Sequence, residues 1–133
     1  MICLLDTNVC IQLWQRKNLI VRRRFTQHSP GDIALCGVVK AKLLFGALRS
    51  EQKESNLHLL QKLFAPLHSF EFDDNAAEHY AQIRADLTVQ GCLIGANDLM
   101  IAAIARANEA TLITHNTVGF GRVQGLPIED WEV

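Results

Sequence analysis

Short apolar runs alternate along the chain with longer amphipathic stretches. ICLL before Asp6, DIALC at 32–36, HSFEF at 68–72, TLIT at 111–114 and LPIEDW at 126–131 have the length and composition of strands. Uninterrupted runs such as ICLL suit strands buried on both faces, whereas HSFEF alternates sides. Between them the period lengthens to that of a helix. TNVCIQLW carries Val9, Leu13 and Trp14, and Leu19 to Gln27 ends before the breaker Ser29-Pro30-Gly31. VVKAKLLFGALRS at 38–50 repeats Val39, Leu43 and Ala47, and ESNLHLLQKLF at 54–64 repeats Leu57, Leu60 and Phe64 and stops before Pro66. A long helix over 73–90 is capped by Asp73 or Asp74, and IGANDLMIAAIARANEA at 94–110 is apolar almost all round, which marks a buried central helix. HNTVGFG reads as a turn. Strands alternating with helices predict an α/β fold with a small parallel sheet covered on both sides. With no repeat, linker or low-complexity stretch, residues 1–133 are expected to form a single domain.

Composition adds little until charge is mapped onto the chain. Hydrophobic residues at 49% and charged residues at 20% are ordinary for a globular protein. The N-terminal MICLLD is too short and too soon acidic for a signal peptide, and no apolar run reaches the roughly 18 residues of a membrane span, so a cytoplasmic protein is expected. Cys3, Cys10, Cys36 and Cys92 lack CxxC spacing and sit in apolar segments, which favours buried free thiols over disulfides or zinc. The net charge of −1 conceals an asymmetry: residues 1–50 carry eight Lys and Arg against two Asp, a balance of +6, and residues 51–133 carry five against twelve, a balance of −7. Arg16, Lys17, Arg22, Arg23 and Arg24 concentrate the positive charge in RKNLIVRRRF. Such a segment is either a solvated helix face or a phosphate-contacting patch, and charge alone does not decide.

In open parallel sheets functional groups collect beyond the C-terminal strand ends. Asp6, the pair Asn97-Asp98 and the run Thr114, His115, Asn116 all fall there. Taken singly, Asp6 reads as a helix cap, Asp98 as a first-turn carboxylate favoured by the helix dipole, and Asn116 as a turn residue. Asp98, however, lies in a helix that is otherwise apolar, and a sheltered carboxylate needs a partner or a cation. Carboxylates around a cleft, with no histidine pair and no cysteine ligands, suit a hard ion such as Mg2+, and with it phosphodiester hydrolysis. His115 reads as an exposed turn histidine rather than a general base. No GxGxxG follows a strand, and GxxxxGK[ST], GxSxG and HExxH are absent. Lys42 is out of place in this picture, because its helical position borders the buried face.

The blocks LLDTNVCI (4–11), VVKAKLLFGA (38–47), IGANDLMIAAIA (94–105) and TLITHNTVGFGRVQGLPIEDW (111–131) together resemble the PIN-domain ribonucleases, and more closely the VapC toxins of bacterial toxin–antitoxin pairs. The resemblance implies a three-layer α/β/α domain and an endoribonuclease that uses Mg2+, with Mn2+ able to substitute. It implies a metal held by Asp6 and Asp98, Asn116 at a position where many PIN domains carry Asp, Thr7 and Asn8 lining the site, and Thr114 bonded to a ligand water. It further implies a tRNA substrate, initiator tRNA cut in the anticodon loop for the branch this chain is similar to. The implied partner is a VapB-type antitoxin, through which alone operator DNA is reached, in a homodimer or a toxin–antitoxin hetero-oligomer with no membrane contact. Arg22, Arg23 and Arg24 would contact RNA or a protein partner. Family members carry a glutamate where this chain has Lys42, so the resemblance predicts weakened metal binding and impaired cleavage, with the ammonium neutralising Asp6 and Asp98. The competing expectation is a non-catalytic PIN-fold module that sequesters antitoxin or RNA.

Overall fold

The computed structural model describes residues 1–133, which build one five-stranded sheet between layers of helix. The strands are β1 (Cys3–Leu5), β2 (Ile33–Cys36), β3 (His68–Phe70), β4 (Thr111–Ile113) and β5 (Ile128–Glu129). The helices are α1 (Thr7–Trp14), α2 (Leu19–Thr26), α3 (Gly37–Arg49), α4 (Lys53–Phe64), α5 (Asp74–Gln90), α6 (Ala96–Ala107) and α7 (Thr117–Phe120). Every strand pair is parallel, as the alternating pattern predicts, and the order is β3-β2-β1-β4-β5. From β1 the chain steps to β2 and then β3, crosses over, and continues with β4 on the other side of β1. The crevice at the carboxyl ends of β1 and β4 is therefore a topological switch point, where open α/β sheets place their sites.

The three central strands are covered on both faces, and every residue of β1 and β2 is buried. Val39, Leu43 and Ala47 of α3 face inward as their spacing predicts, and α6 is buried at Leu99 and from Ile101 to Ala105. Trp131, the largest fully buried side chain, closes the core beneath the chain end; its Nε1 donates to Glu129 Oε1 at 3.0 Å and His28 stacks on it at 5.0 Å between centroids. Helix ends are set locally. Asp73 Oδ1 accepts from Ala76 N at 2.9 Å to start α5, and Gly91 at φ 68° ends it in the left-handed conformation open to glycine at little cost.

Two local expectations are modified. HSFEF forms an edge strand whose His68 and Ser69 are exposed, so it has no buried face to alternate against. The predicted turn HNTVGFG contains the single helical turn α7, whose start is capped by Asn116 Oδ1 accepting from Gly119 N at 3.1 Å. A Cβ at residue 119 would meet Asn116 Nδ2 at 2.7 Å, so the cap requires glycine there. Cys3, Cys10 and Cys36 are buried free thiols and Cys92 is half-buried and free. Burial is the largest cause raising the pKa of the first three, which keeps them protonated and unreactive. No helix is long and apolar enough to cross a membrane.

Candidate acidic site

Asp6 follows β1 directly, so the strand that carries it is fixed on both sides by its neighbours. Asp6 N donates to Ile113 O on β4 at 2.9 Å, and Thr114 N donates to Glu129 O on β5 at 3.0 Å, which holds the chain ends in register past the last strand residues. The side chain of Asp6 is buried, and each of its oxygens accepts one hydrogen bond. Its Oδ1 accepts from Thr7 N at 2.8 Å, and its Oδ2 accepts from Thr114 Oγ1 at 2.8 Å. Thr114, 0% exposed, receives Asn116 N on the same hydroxyl oxygen at 3.0 Å. A hydroxyl has one proton, and here Thr114 gives it to Asp6, so its observed partner is the carboxylate. The cap expected of Asp6 is present, but the reach across to β4 is more than capping needs.

Asp98 lies half-buried in the first turn of α6. Burial pushes its carboxyl above the usual range, the charge of Asp6 pushes it further in the same direction, and Lys42 opposes both. Three elements thus bring Asp6, Asp98 and Lys42 within electrostatic reach of one another. Lys42 is half-buried, as the helical spacing predicts. The ion pairs closer than 4.0 Å are those of Arg24 with Glu129 and of His115 with Asp130 and Glu132, so Lys42 makes no direct pair with either aspartate. Its charge lowers the pKa of Asp98 through space, so the neutralisation expected of its ammonium is exerted there without an ion pair. Lys42 also lines a neighbouring groove with Val38, Ala41 and Phe45.

The remaining candidates divide by exposure. Thr7 is half-buried, and its Oγ1 is enclosed without a hydrogen-bond partner. Asn8 is exposed in the first turn of α1, and Asn116 is exposed as the N-cap of α7. Arg22 and Arg23 are exposed on α2, but Arg24 is committed to the chain terminus: Nη1 donates to Glu129 Oε1 at 3.3 Å and Nη2 to Val133 O at 2.9 Å. Of the three arginines of α2, two are therefore exposed and one is structural. His115 has an exposed side chain, as expected, yet it is not solitary: Nδ1 lies 2.8 Å from Asp130 Oδ2 and 3.7 Å from Glu132 Oε2. Nothing in the spacing of H115 and D130 signals that pairing, which depends on β4 lying beside β5.

A parallel sheet with an acidic cleft at the β1/β4 switch point defines a class. The PIN domain family matches residues 3–126, and the chain belongs to it. Its relatives narrow the group. It is 38% identical over 128 residues to the tRNA(fMet)-specific endonuclease VapC of Shigella flexneri, covering 96% of both chains, and 35% identical over 128 residues to ribonuclease VapC2 of Haemophilus influenzae, again with 96% of each covered. In structure it matches a chain of the VapBC2 complex of Rickettsia felis bound to a promoter DNA fragment, with a TM-score of 0.92, 32% identity and 98% and 99% of the two chains covered. Within the PIN-domain family, the chain is a member of the VapC ribonuclease group.

Proposed function

We propose that this protein is the ribonuclease toxin of a toxin–antitoxin pair, that it hydrolyses a phosphodiester of tRNA with the help of Mg2+, and that Lys42 weakens that activity. The observation that carries the reading is the convergence of Asp6 and Asp98 from β1 and α6 at the switch point, with the pKa of Asp98 raised by burial and by its neighbour. Two carboxylates and an orphaned hydroxyl, Thr7 Oγ1, are a donor set that fits a hydrated hard cation. Mg2+ held there would stabilise charge on a phosphoryl oxygen and lower the pKa of a bound water. The protein's part is positioning. The Thr7 amide and the Thr114 hydroxyl fix the rotamer of Asp6, so its free lone pairs point to one place before any ligand arrives. Asp98 brings the second negative charge from the opposite wall. Asn116, fixed by its cap to Gly119, borders the cleft and offers an amide to the RNA.

Lys42 subtracts from this arrangement. A unit charge a few ångströms beyond ion-pair contact from another is worth on the order of a few kcal/mol at an effective dielectric near 20, and the interaction with a divalent ion doubles it. Because Lys42 is only half-buried, solvent screening reduces that figure. A loss of tenfold or more in Mg2+ affinity remains, relative to a neutral side chain, and a larger one relative to glutamate. The relative from Shigella flexneri bears the name of an initiator-tRNA endonuclease, and initiator tRNA is the substrate we assign to this chain. The Rickettsia felis neighbour, solved with its antitoxin on promoter DNA, supports a VapB-type partner here, with operator DNA reached through that partner.

Purified initiator tRNA incubated with Mg2+ and either the native chain or Lys42→Glu tests the proposal. The glutamate variant should cut at least tenfold faster, and Asp6→Ala in the same background should abolish cleavage. Mn2+ bound by the native chain at micromolar affinity would refute the weakening by Lys42. If neither form cuts any RNA, Lys42 favours the second reading, a PIN-fold module that sequesters antitoxin or RNA without cleaving.

A further inference from the structure

Beside the acidic cleft lies a groove of about 520 Å³, lined by Gly37, Val38, Ala41, Lys42 and Phe45 of α3, Phe72 beyond β3, and Asn97 and Met100 of α6. Its volume is that of a small-ligand cleft. It is continuous with the site, because Lys42 belongs to both and Asn97 precedes Asp98. Phe45 and Phe72 are 59% and 42% exposed, while every other phenylalanine of the chain is buried or half-buried. Neither ring is loose. Phe72 stands edge-on to Tyr80 at 5.9 Å, and the Arg49 guanidinium lies 5.4 Å from the centre of Phe45.

We propose that this groove seats one unpaired nucleobase of the RNA, stacked on the rings of Phe45 and Phe72 with its edge toward the Asn97 amide. The proposal rests on the ribonuclease reading and adds a recognition subsite to it. Single-stranded RNA is recognised by stacking splayed bases on aromatic rings and by hydrogen bonds to their edges. Two held rings, apolar walls and one amide that both donates and accepts are the parts such a seat requires. Lys42, the groove's single charged wall, stands where the groove meets the cleft and suits the backbone phosphate of the same nucleotide rather than the base. A base in the groove would therefore set which phosphodiester reaches Asp6 and Asp98.

The test is anisotropy binding of a fluorescein-labelled initiator-tRNA anticodon stem-loop to the full chain in EDTA. Native protein is compared with Phe45→Ala/Phe72→Ala, using intact RNA and RNAs made abasic at one loop position at a time. One abasic position should weaken binding to the native chain by about five- to one-hundred-fold, and the double variant should bind intact and abasic RNA alike at that weaker level. Asn97→Ala should flatten the preference among bases at that position. Both phenylalanines are exposed, so unfolding within about 2 °C of the native chain confirms an intact fold. If the double variant binds RNA as the native chain does, the subsite is refuted while the ribonuclease reading stands. If it binds RNA normally but loses the antitoxin, the groove belongs to a peptide and the proposal is wrong. If neither the native chain nor Lys42→Glu binds RNA, the ribonuclease reading fails and takes this proposal with it.

Discussion

Replacing Thr114 by Val tests the geometry of the site most directly. The swap keeps shape and volume at a fully buried position and removes one hydroxyl. That hydroxyl donates to Asp6 Oδ2 at 2.8 Å and accepts from Asn116 N at 3.0 Å. A hydrogen bond to a charged group contributes about 1.5–3 kcal/mol, and its loss leaves a buried carboxylate oxygen short of a donor. The amide of exposed Asn116 can turn to water, so its share is small. The sum is about 2 kcal/mol of stability. With an unfolding entropy of about 2.1 cal/mol/K per residue, a chain of this length should lose roughly 7 °C in Tm. Thermal unfolding followed by circular dichroism in EDTA reads the shift, and Thr114→Ser, which keeps the hydroxyl, is the control. The serine variant should retain most of the stability and, in the Lys42→Glu background, most of the RNA cleavage, whereas the valine variant should lose both. If valine unfolds within 1 °C of the native chain, or serine falls as far as valine, the hydroxyl does not hold Asp6 and the reasoning is refuted.

Three further outcomes follow from the charges. Asp98 is a carboxyl with a raised folded pKa, so the folded state holds its proton more tightly than the unfolded state, and stability is lost as pH rises above 3.8 through the folded value. Asp98→Asn should therefore raise Tm at pH 7 in EDTA by a few °C at most, given solvent screening, and an unchanged or lower Tm would contradict the strain assigned to the pair. His115 is also raised, first by its hydrogen bond to Asp130 and then by the charges of Glu132 and Asp130, but it is a base. Its contribution is full below the unfolded value of 6.5 and fades as pH rises through the folded one, so His115→Gln should unfold earlier than the native chain at pH 6 and together with it at pH 9 in a Tm-against-pH series. Arg22→Glu/Arg23→Glu should weaken stem-loop binding and lower the slope of log K against log salt by at least about 1.4, while an unchanged slope with reduced antitoxin affinity would assign α2 to the protein interface.

The fold was legible because its elements are short and strongly patterned. ICLL, DIALC and TLIT read as strands, and the spacing of Val39, Leu43 and Ala47 reads as the inner stripe of α3, as the structure has them. The strand order was not written in any local pattern, since it depends on which faces the crossovers bury. The edge strand at His68–Phe70 has no buried side to imprint an alternation, and α7 is too short for a helical period. For the site, the positions of Asp6 and Asp98 at strand and helix ends were readable, and so was the half-buried setting of Lys42. Partners were not. The bond from Thr114 to Asp6 spans 108 residues, Arg24 reaches Val133 across 109, and the direction of the Lys42 stem is a rotamer choice that spacing does not record.

The weakening proposed for Lys42 is compatible with an intact fold. The inner stripe of α3 is Val39, Leu43 and Ala47, all buried, and Lys42 lies beside it, half-buried, where a long side chain can keep its charged end in water. Exchanging glutamate and lysine at such a position changes the sign of the local field without opening a cavity or burying an unpaired ion. The aspartates then keep their places, because Asp6 is bonded to Thr7 and Thr114 and Asp98 is carried by the first turn of α6, none of which depends on residue 42. With Asp6 and Asp98 held close and mutually repelling, a cation on α3 relieves part of their strain that a third carboxylate would increase. Under the proposed metal-dependent function, stability and metal affinity pull in opposite directions at residue 42. Lys42→Glu should lower Tm in EDTA and recover it when Mg2+ is added, while the native chain should respond little to the ion. A glutamate variant as stable as the native chain in EDTA would mean that the three charges do not share a field, and the effect assigned to Lys42 would have no physical basis.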